Sequence, residues 1–433
     1  FSTDNGGHLT LVDNSEEKDA LVDLESSETA KVYSLIANYE AGSTITINGG
    51  TYNLDKAMDS HMYTGGDEGI VVNGGNFTLG NVGEGQNGKP WIFNALGGNV
   101  NNVVVNDGTF NADINHQFWA NEVYVPETKA LQKIGEKTWT VVVAVAYAEE
   151  QATSTGATVR KVGYASLADA VKSTGETVTV IKEHVTTTPA IVEKNMTIDF
   201  ANLAITGDIY PVVRIQNNAT VTVKNGNITN GDYIFTLGSS DQTTAGNLTI
   251  EDGTYVGETT AANVVKGLLT INGGDFSISE DTEYNYAYVI NCYDDNYKNG
   301  TAKVSISGGT FRNFNPEDNK AEQGGHTNFC AAGYGAVETA TGSNIWTVVP
   351  KQGQTLTAGW NWFSSYININ GAEGLATLEN ALGQNGVMIK RNGGYVEFYN
   401  SDNDAYDMWI GTNFDAVSVK EMYMINTNAD TRI

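Results

Sequence analysis

The sequence predicts an all-β chain whose strands stack in parallel as successive turns of a coil, and three observations carry that prediction. Glycine takes 48 of 433 positions and proline only 6, against averages of about 7% and about 5%, which favours tight turns over long helices. Hydrophobic residues make up 40% and charged ones 17%, so the chain is not disordered. Above all, one short motif recurs: an alternating β-branched strand, Asn or Asp with Gly, a small residue, then usually an aromatic one.

In order, the copies are Ile45-Thr46-Ile47-Asn48-Gly49-Gly50-Thr51-Tyr52, Val71-Val72-Asn73-Gly74-Gly75-Asn76-Phe77 and Val105-Asn106-Asp107-Gly108-Thr109-Phe110. They continue as Val223-Lys224-Asn225-Gly226-Asn227-Ile228, Ile250-Glu251-Asp252-Gly253-Thr254-Tyr255, Ile271-Asn272-Gly273-Gly274-Asp275-Phe276 and Ile306-Ser307-Gly308-Gly309-Thr310-Phe311. Between second glycines the spacings are 75 − 50 = 25, 108 − 75 = 33, 253 − 226 = 27, 274 − 253 = 21 and 309 − 274 = 35, a period near 25 with loops of varying length. Each strand turns its Ile and Val inward. Each glycine supplies the positive φ for a sharp corner, and the aromatic points back inside. Asn-Gly also marks hairpins. One motif copy per turn, rather than one per strand pair, favours stacked rungs.

This pattern resembles the right-handed parallel β-helix of the pectate-lyase-like superfamily, and in particular the glycine-rich β-helical cell-surface proteins of gut bacteria of the Bacteroides type. The resemblance covers residues 1 to about 350 and is specific for architecture, not chemistry, since the fold hosts both enzymes and inert rods. It implies an all-β fold class: a right-handed parallel β-helix in two consecutive units, then a small β-rich C-terminal domain.

A longer repeat sets the boundaries. Trp139-Thr140-Val141-Val142 returns as Trp346-Thr347-Val348-Val349, 346 − 139 = 207 residues on, and each copy reads as the closing hairpin of a unit. Between them a short helix is expected from Tyr164 to Gly175, with Ser166 as N-cap and Asp169 three residues on; in the resembled proteins such a helix covers the open end of a coil. The expected domains are therefore 1–150, 151–351 and 352–433. The first lacks an opening helix and the chain opens Phe1-Ser2-Thr3-Asp4, so its start and an export signal are expected upstream. Some fourteen rungs at about 4.8 Å give a rod of about 65 Å. From Gly353 aromatic strands dominate, with a helix expected over residues 372–383 from Leu375, Leu378 and Leu382. In related extracellular proteins such a module lies near the C-terminus.

With 51 acidic and 24 basic side chains the net charge is −27, which disfavours nucleic acid and anionic membrane surfaces as partners unless a local basic patch exists; none is visible in the sequence. The longest apolar run, Trp139 to Ala148, is far short of a membrane span of about 18 residues and reads as a strand. An extracellular or cell-surface address, with glycans or host or bacterial surface proteins as partners, is what the resemblance implies.

The best candidate contact for a glycan is Tyr293, Asp294, Asp295 and Tyr297, because sugar faces stack on rings while carboxylates accept hydroxyl hydrogen bonds. Tyr284, Tyr286, Tyr288, Ile290 and Cys292 alternate and are expected to share one strand face. Catalysis would need carboxylates converging on neighbouring rungs. Asp55, Asp113 and Glu258 lie five residues past a second glycine, but Gly80 interrupts that ladder and leaves Asp55 and Asp113 about 9.6 Å apart, at the loose end for an inverting glycosidase. No catalytic residue is assigned, and Gly324-Gly325-His326 is a poor match to the polygalacturonase motif. His8, His61, His116, His184 and His326 lack ligand spacing. Asp402, Asp404 and Asp407 read as a solvated turn rather than a calcium loop. No metal or cofactor is expected. Cys292 and Cys330 pair or stay as buried thiols. Trp360, Trp362 and Trp409 are expected to fill the core of the small C-terminal domain.

Overall fold

The computed structural model describes residues 1–3, 6–14, 20–25, 32–39, 42–65, 69–85, 89–95, 102–115, 123–151, 159–279, 288–321, 326–351, 353–364, 371–399, 408–418 and 421–432. The chain is all-β, 53% strand and 6% helix, with many parallel sheets. It divides into two compact units, residues 1–304 with 321–323, and residues 305–320 with 324–433.

The first unit holds two sets of parallel ladders. In the second set every third strand returns to the same sheet. Thr177–Val180, Met196–Asp199, Ala219–Lys224, Gly246–Ile250 and Gly267–Ile271 pair in sequence, parallel and in register. So do His184–Thr186, Ile205–Gly207, Gly226–Asn230, Gly253–Gly257 and Asp275–Ile278, and likewise Ala190–Val192, Val213–Ile215, Tyr233–Leu237, Thr260–Val264 and Ile290–Cys292. Strand alternation then writes columns along the ladder. Val178, Ile198, Val223, Ile250 and Ile271 form a wholly buried one, while Thr177, Thr197, Thr222, Thr249 and Thr270 form a half-buried one on the opposite face.

The first set is built on the same corners. Thr44–Ile47 pairs with the first half of Ile70–Leu79, Thr51–Leu54 with its second half, and Val103–Phe110 follows in parallel. The corner glycines have positive φ, as in Gly50 (96°), Gly75 (124°) and Gly108 (137°). In the Asn225-Gly226 copy it is Asn225 that takes φ 53°. The aromatic of each motif folds under its own corner. Tyr52, Phe77 and Phe110 stack at 5.3 and 5.2 Å, worth about 1 kcal/mol per pair beyond burial. The Tyr52 hydroxyl donates to Gly49 O at 3.0 Å and the Tyr255 hydroxyl to Asp252 O at 2.7 Å, so each tyrosine ties down the carbonyl three residues back. Outside, Asn73 donates to Asn48 at 3.0 Å and Asn106 to Asn73 at 2.8 Å.

Both Trp-Thr-Val-Val copies form the second strand of an antiparallel hairpin laid against a motif strand. Lys129–Gly135 pairs with Thr138–Val143, which sets Trp139 opposite Phe110. In the second unit Tyr334–Glu338 pairs with Ile345–Pro350, which sets Trp346 opposite Phe311. The apolar run Trp139–Ala148 is not one strand. It breaks at Ala144 and Val145, where the chain passes from Thr138–Val143 into Ala146–Gln151 of another sheet.

The expected opening helix is shorter than its sequence suggests: α1 spans Leu167–Ala170, with the Ser166 side chain accepting from Asp169 N. The turn after it is held instead by tertiary groups. Glu150 accepts from the Tyr164 and Thr174 hydroxyls, and the Lys194 ammonium donates to Ser173 O and Gly175 O.

In the second unit α3 (Gly371–Leu382) lies where expected. A five-stranded antiparallel sheet runs in the order Gly359–Phe363, Tyr423–Thr427, Gly386–Arg391, Gly394–Tyr399, Met408–Thr412. One face, with Phe363, Ile389, Val396, Tyr423 and Ile425, packs on Leu375, Leu378 and Leu382 of α3.

Candidate functional site

Tyr293, Asp294, Asp295 and Tyr297 are brought together on one short helix, α2 (Asp294–Lys298), with Tyr293 as its N-cap residue. Tyr293 is exposed and Tyr297 half-buried, and four-residue spacing puts them on one helical face. The aspartates occupy the first turn and Lys298 the last, the arrangement the helix dipole favours whether or not a ligand binds. Asn296 anchors the helix by donating to Val265 O at 2.7 Å and to Gln242 Oε1 at 3.0 Å. Ile290 and Cys292 are buried on one face of their strand, as expected, while Tyr284 and Tyr286 lie outside the described residues, as do His116, Asp402, Asp404 and Asp407. Neither Cys292 nor Cys330 is in a disulfide. His326 pairs with Asp318 at 2.7 Å. Among the described residues no group of three or more His, Cys, Asp or Glu side chains is placed to hold a metal ion, and no helix is long and apolar enough to cross a membrane.

The expectation that Trp360 and Trp362 fill the C-terminal core is overturned. They are 46% and 64% exposed, because the core slots are taken by residues of opposite strand parity, beginning with Phe363. Tyr395, Tyr399, Met408 and Ile410 are exposed too. Cross-strand register joins them into one face: Trp362 opposite Met424, Met424 opposite Lys390, Lys390 opposite Tyr395, and Tyr399 opposite Met408. Only Trp409, which points the other way, leans on the core and on Phe398. The Lys390 ammonium sits 4.1 Å above the Trp360 ring. A cavity of about 230 Å³ lined by Met388, Lys390, Arg391, Gly394, Tyr395 and Thr412 opens beside it. Flat rings flanked by amine and guanidinium donors can stack a pyranose and hydrogen-bond its hydroxyls. Glu397, between Tyr395 and Tyr399 on the same face, was the sequence signal that this parity meets water.

A second convergence lies on the ladders. Asp208, Asp232 and Glu258 each follow a glycine that ends or adjoins a strand, at spacings of 232 − 208 = 24 and 258 − 232 = 26. They are close enough to act on one another: burial pushes the Asp232 carboxyl up, and the charges of Asp208 and Glu258 push it further, against hydrogen bonds from Thr259 and the Tyr233 backbone. The exposed ring of Tyr210 meets Tyr233 edge-on at 4.9 Å, with the buried Arg214 guanidinium 5.6 Å from the Tyr210 ring. Of the residues weighed for catalysis from sequence, Glu258 belongs to this group. Asp55 and Asp113 are exposed elsewhere in the first set.

No protein-family model, no curated protein and no solved structure matches the chain, so the functional reading rests on these side chains alone.

Proposed function

We propose that the chain is a non-catalytic extracellular or cell-surface protein that binds glycans or partner surface proteins. In this reading residues 1 to about 350 form a right-handed parallel β-helix in two consecutive units, and the C-terminal domain carries the principal contact face. Every-third-strand pairing and the buried ring under each glycine corner support the coil. The observation that carries the function is the open aromatic face of Trp360, Trp362, Tyr395 and Tyr399, which a sheet covered on one side by α3 has no structural need to expose. Tyr293, Asp294, Asp295 and Tyr297 remain a second, smaller contact.

The experiment is retention on an array of neutral and acidic glycans. Alanine at both Trp360 and Trp362 is expected to weaken retention about tenfold or more, at about 1–3 kcal/mol per lost stacking ring, with the melting temperature lowered by only a few degrees. Alanine at Tyr293 and Tyr297 is expected to weaken it less. Unaltered retention in the double tryptophan variant, or none by the parent chain, removes the glycan reading.

A rival reading, a glycoside hydrolase or polysaccharide lyase acting in a groove on the ladders, is favoured by one observation, the meeting of Asp208, Asp232 and Glu258. A carboxyl raised by burial and by neighbouring carboxylates suits a general acid. Reducing ends released from a glycan panel by the parent chain and lost on Asp232→Asn would support it; no turnover on any substrate would remove it.

A further inference from the structure

The sheet of Ala190–Val192, Val213–Ile215, Tyr233–Leu237, Thr260–Val264 and Ile290–Cys292 carries one polar column among apolar ones. Arg214 lies opposite Thr236, and Thr236 opposite Asn263, each about 4.8 Å from the next. Their strand neighbours Val213, Ile215, Phe235, Leu237, Ala262 and Val264 are wholly buried, so parity puts the three polar side chains together on the opposite face of the sheet. That face is closed to water as well: Arg214 is 6%, Thr236 0% and Asn263 2% exposed.

What the column lacks is partners. Arg214 Nη1 donates to Gly238 O at 3.3 Å, and among the described residues no carboxylate is ion-paired with the guanidinium. Thr236 Oγ1 and Asn263 Oδ1 have no hydrogen-bond partner. Polar groups shut away from water are nearly always paired, and a buried cation without a counter-ion is the costliest exception. Nearby acids do not supply one. Asp208, Asp232 and Glu258 gather at the start of these strands and act on one another. Beyond the other end, Asp241 is held by Ser239 and Thr243. Lys266, against Gly238, adds a second cation there, with its ammonium on Gln242 O and Thr243 O.

The chemistry of the three groups narrows the ligand. Water would satisfy Thr236 and Asn263 but not the charge. A halide would meet the charge but offers no proton to Asn263 Oδ1. A carboxylate with a hydroxyl on its next carbon answers all three: its oxygens accept from Arg214 and from the Thr236 hydroxyl, and its own hydroxyl donates to Asn263 Oδ1. Burial of the whole column leaves no open floor for a polymer, and the exposed Tyr210 ring, 5.6 Å from the guanidinium, links the column to solvent.

We propose that Arg214, Thr236 and Asn263 bind a small free hydroxycarboxylate. The site is separate from the aromatic face and does not depend on it. The test is isothermal titration calorimetry on the full chain with glycolate, acetate, glycolamide, chloride and an oligogalacturonate.

Glycolate is expected to bind. Acetate, without the hydroxyl, should bind about tenfold more weakly, and glycolamide, without the charge, about a hundredfold more weakly or worse. Arg214→Met should abolish glycolate binding, Thr236→Val should weaken it about tenfold, and Asn263→Leu should erase the preference for glycolate over acetate. No glycolate binding, or binding unaltered in Arg214→Met and Thr236→Val, overturns the site. Equal binding of glycolamide overturns the charge assignment, and equal binding of acetate or chloride overturns the hydroxyl. An oligogalacturonate that binds as tightly as glycolate, and loses its binding in Thr236→Val, overturns the choice of a free acid. Should Arg214→Met fail to fold, Thr236→Val and the probe series still decide.

Discussion

Tyr52, Phe77 and Phe110 in the parallel ladders, and Trp360, Trp362 and Tyr395 on the C-terminal sheet, are all large rings on alternating strands. The first three lie under glycine corners and away from water; the second three face it. What differs is how many sides of each sheet are covered. In the ladders each ring is folded back by its own corner and meets the ring of the next turn. On the antiparallel sheet one helix covers one face, and parity alone sends the tryptophans to the other. Ring content therefore says little about role until the covered face is known.

The comparison breaks most visibly at single rings. Phe77→Ala removes the middle of a three-ring stack, and the expected loss is about 4 kcal/mol. Trp362→Ala removes a mostly exposed ring and should cost about 0.5 kcal/mol. Urea unfolding of the two variants checks both, and similar losses would mean that the rings share one role.

The ladder interior also holds His61, fully buried, edge-on to Phe77 at 5.8 Å, with Nε2 3.0 Å from Tyr52 O. Burial lowers its pKa from 6.5 to about 4. Between those values the unfolded chain takes up a proton that the folded chain refuses. The contribution is therefore whole above about pH 6.5 and lost as pH falls toward 4, by about 3 kcal/mol. Unfolding at pH 7 and pH 4.5 should show a steeper acid loss in the parent chain than in His61→Leu; parallel pH profiles would exclude a buried neutral histidine.

The glycines sharpen the contrast by a smaller margin. A Cβ on Gly75 (φ 124°) would stand 3.0 Å from Gly50 O and from the Phe77 ring, whereas Gly393 (φ 87°) has nothing within 4 Å. Gly75→Ala is expected to cost about 2 kcal/mol and Gly393→Ala about 1 kcal/mol, the backbone conformation alone. Equal melting temperatures for the two variants would contradict close stacking at the corner.

Much of this was legible in the sequence wherever one residue type had one physical use. Gly50, Gly75 and Gly108 announce corners, the following aromatics announce what fills them, and the two Trp-Thr-Val-Val copies announce hairpins. The tryptophan face was not, because Trp360 and Trp362 satisfy a core pattern equally well until Phe363 is seen to occupy the core. The group Asp208, Asp232 and Glu258 was missed because positions were counted from corner glycines; counted from Gly207, Gly231 and Gly257, the period near 25 was present.

The account stands on strands one period apart lying side by side. The most direct measurement is disulfide trapping in a background of Cys292→Ser and Cys330→Ser. Thr249→Cys with Thr270→Cys joins register partners about 4.8 Å apart, within the span of about 4.4–6.8 Å that a disulfide bridges. Thr222→Cys with Thr270→Cys skips a strand and doubles the gap to about 9.6 Å. Rapid cross-linking of the first pair and none of the second is the predicted result; a first pair that stays reduced, or a second that closes as fast, would contradict the stacked coil.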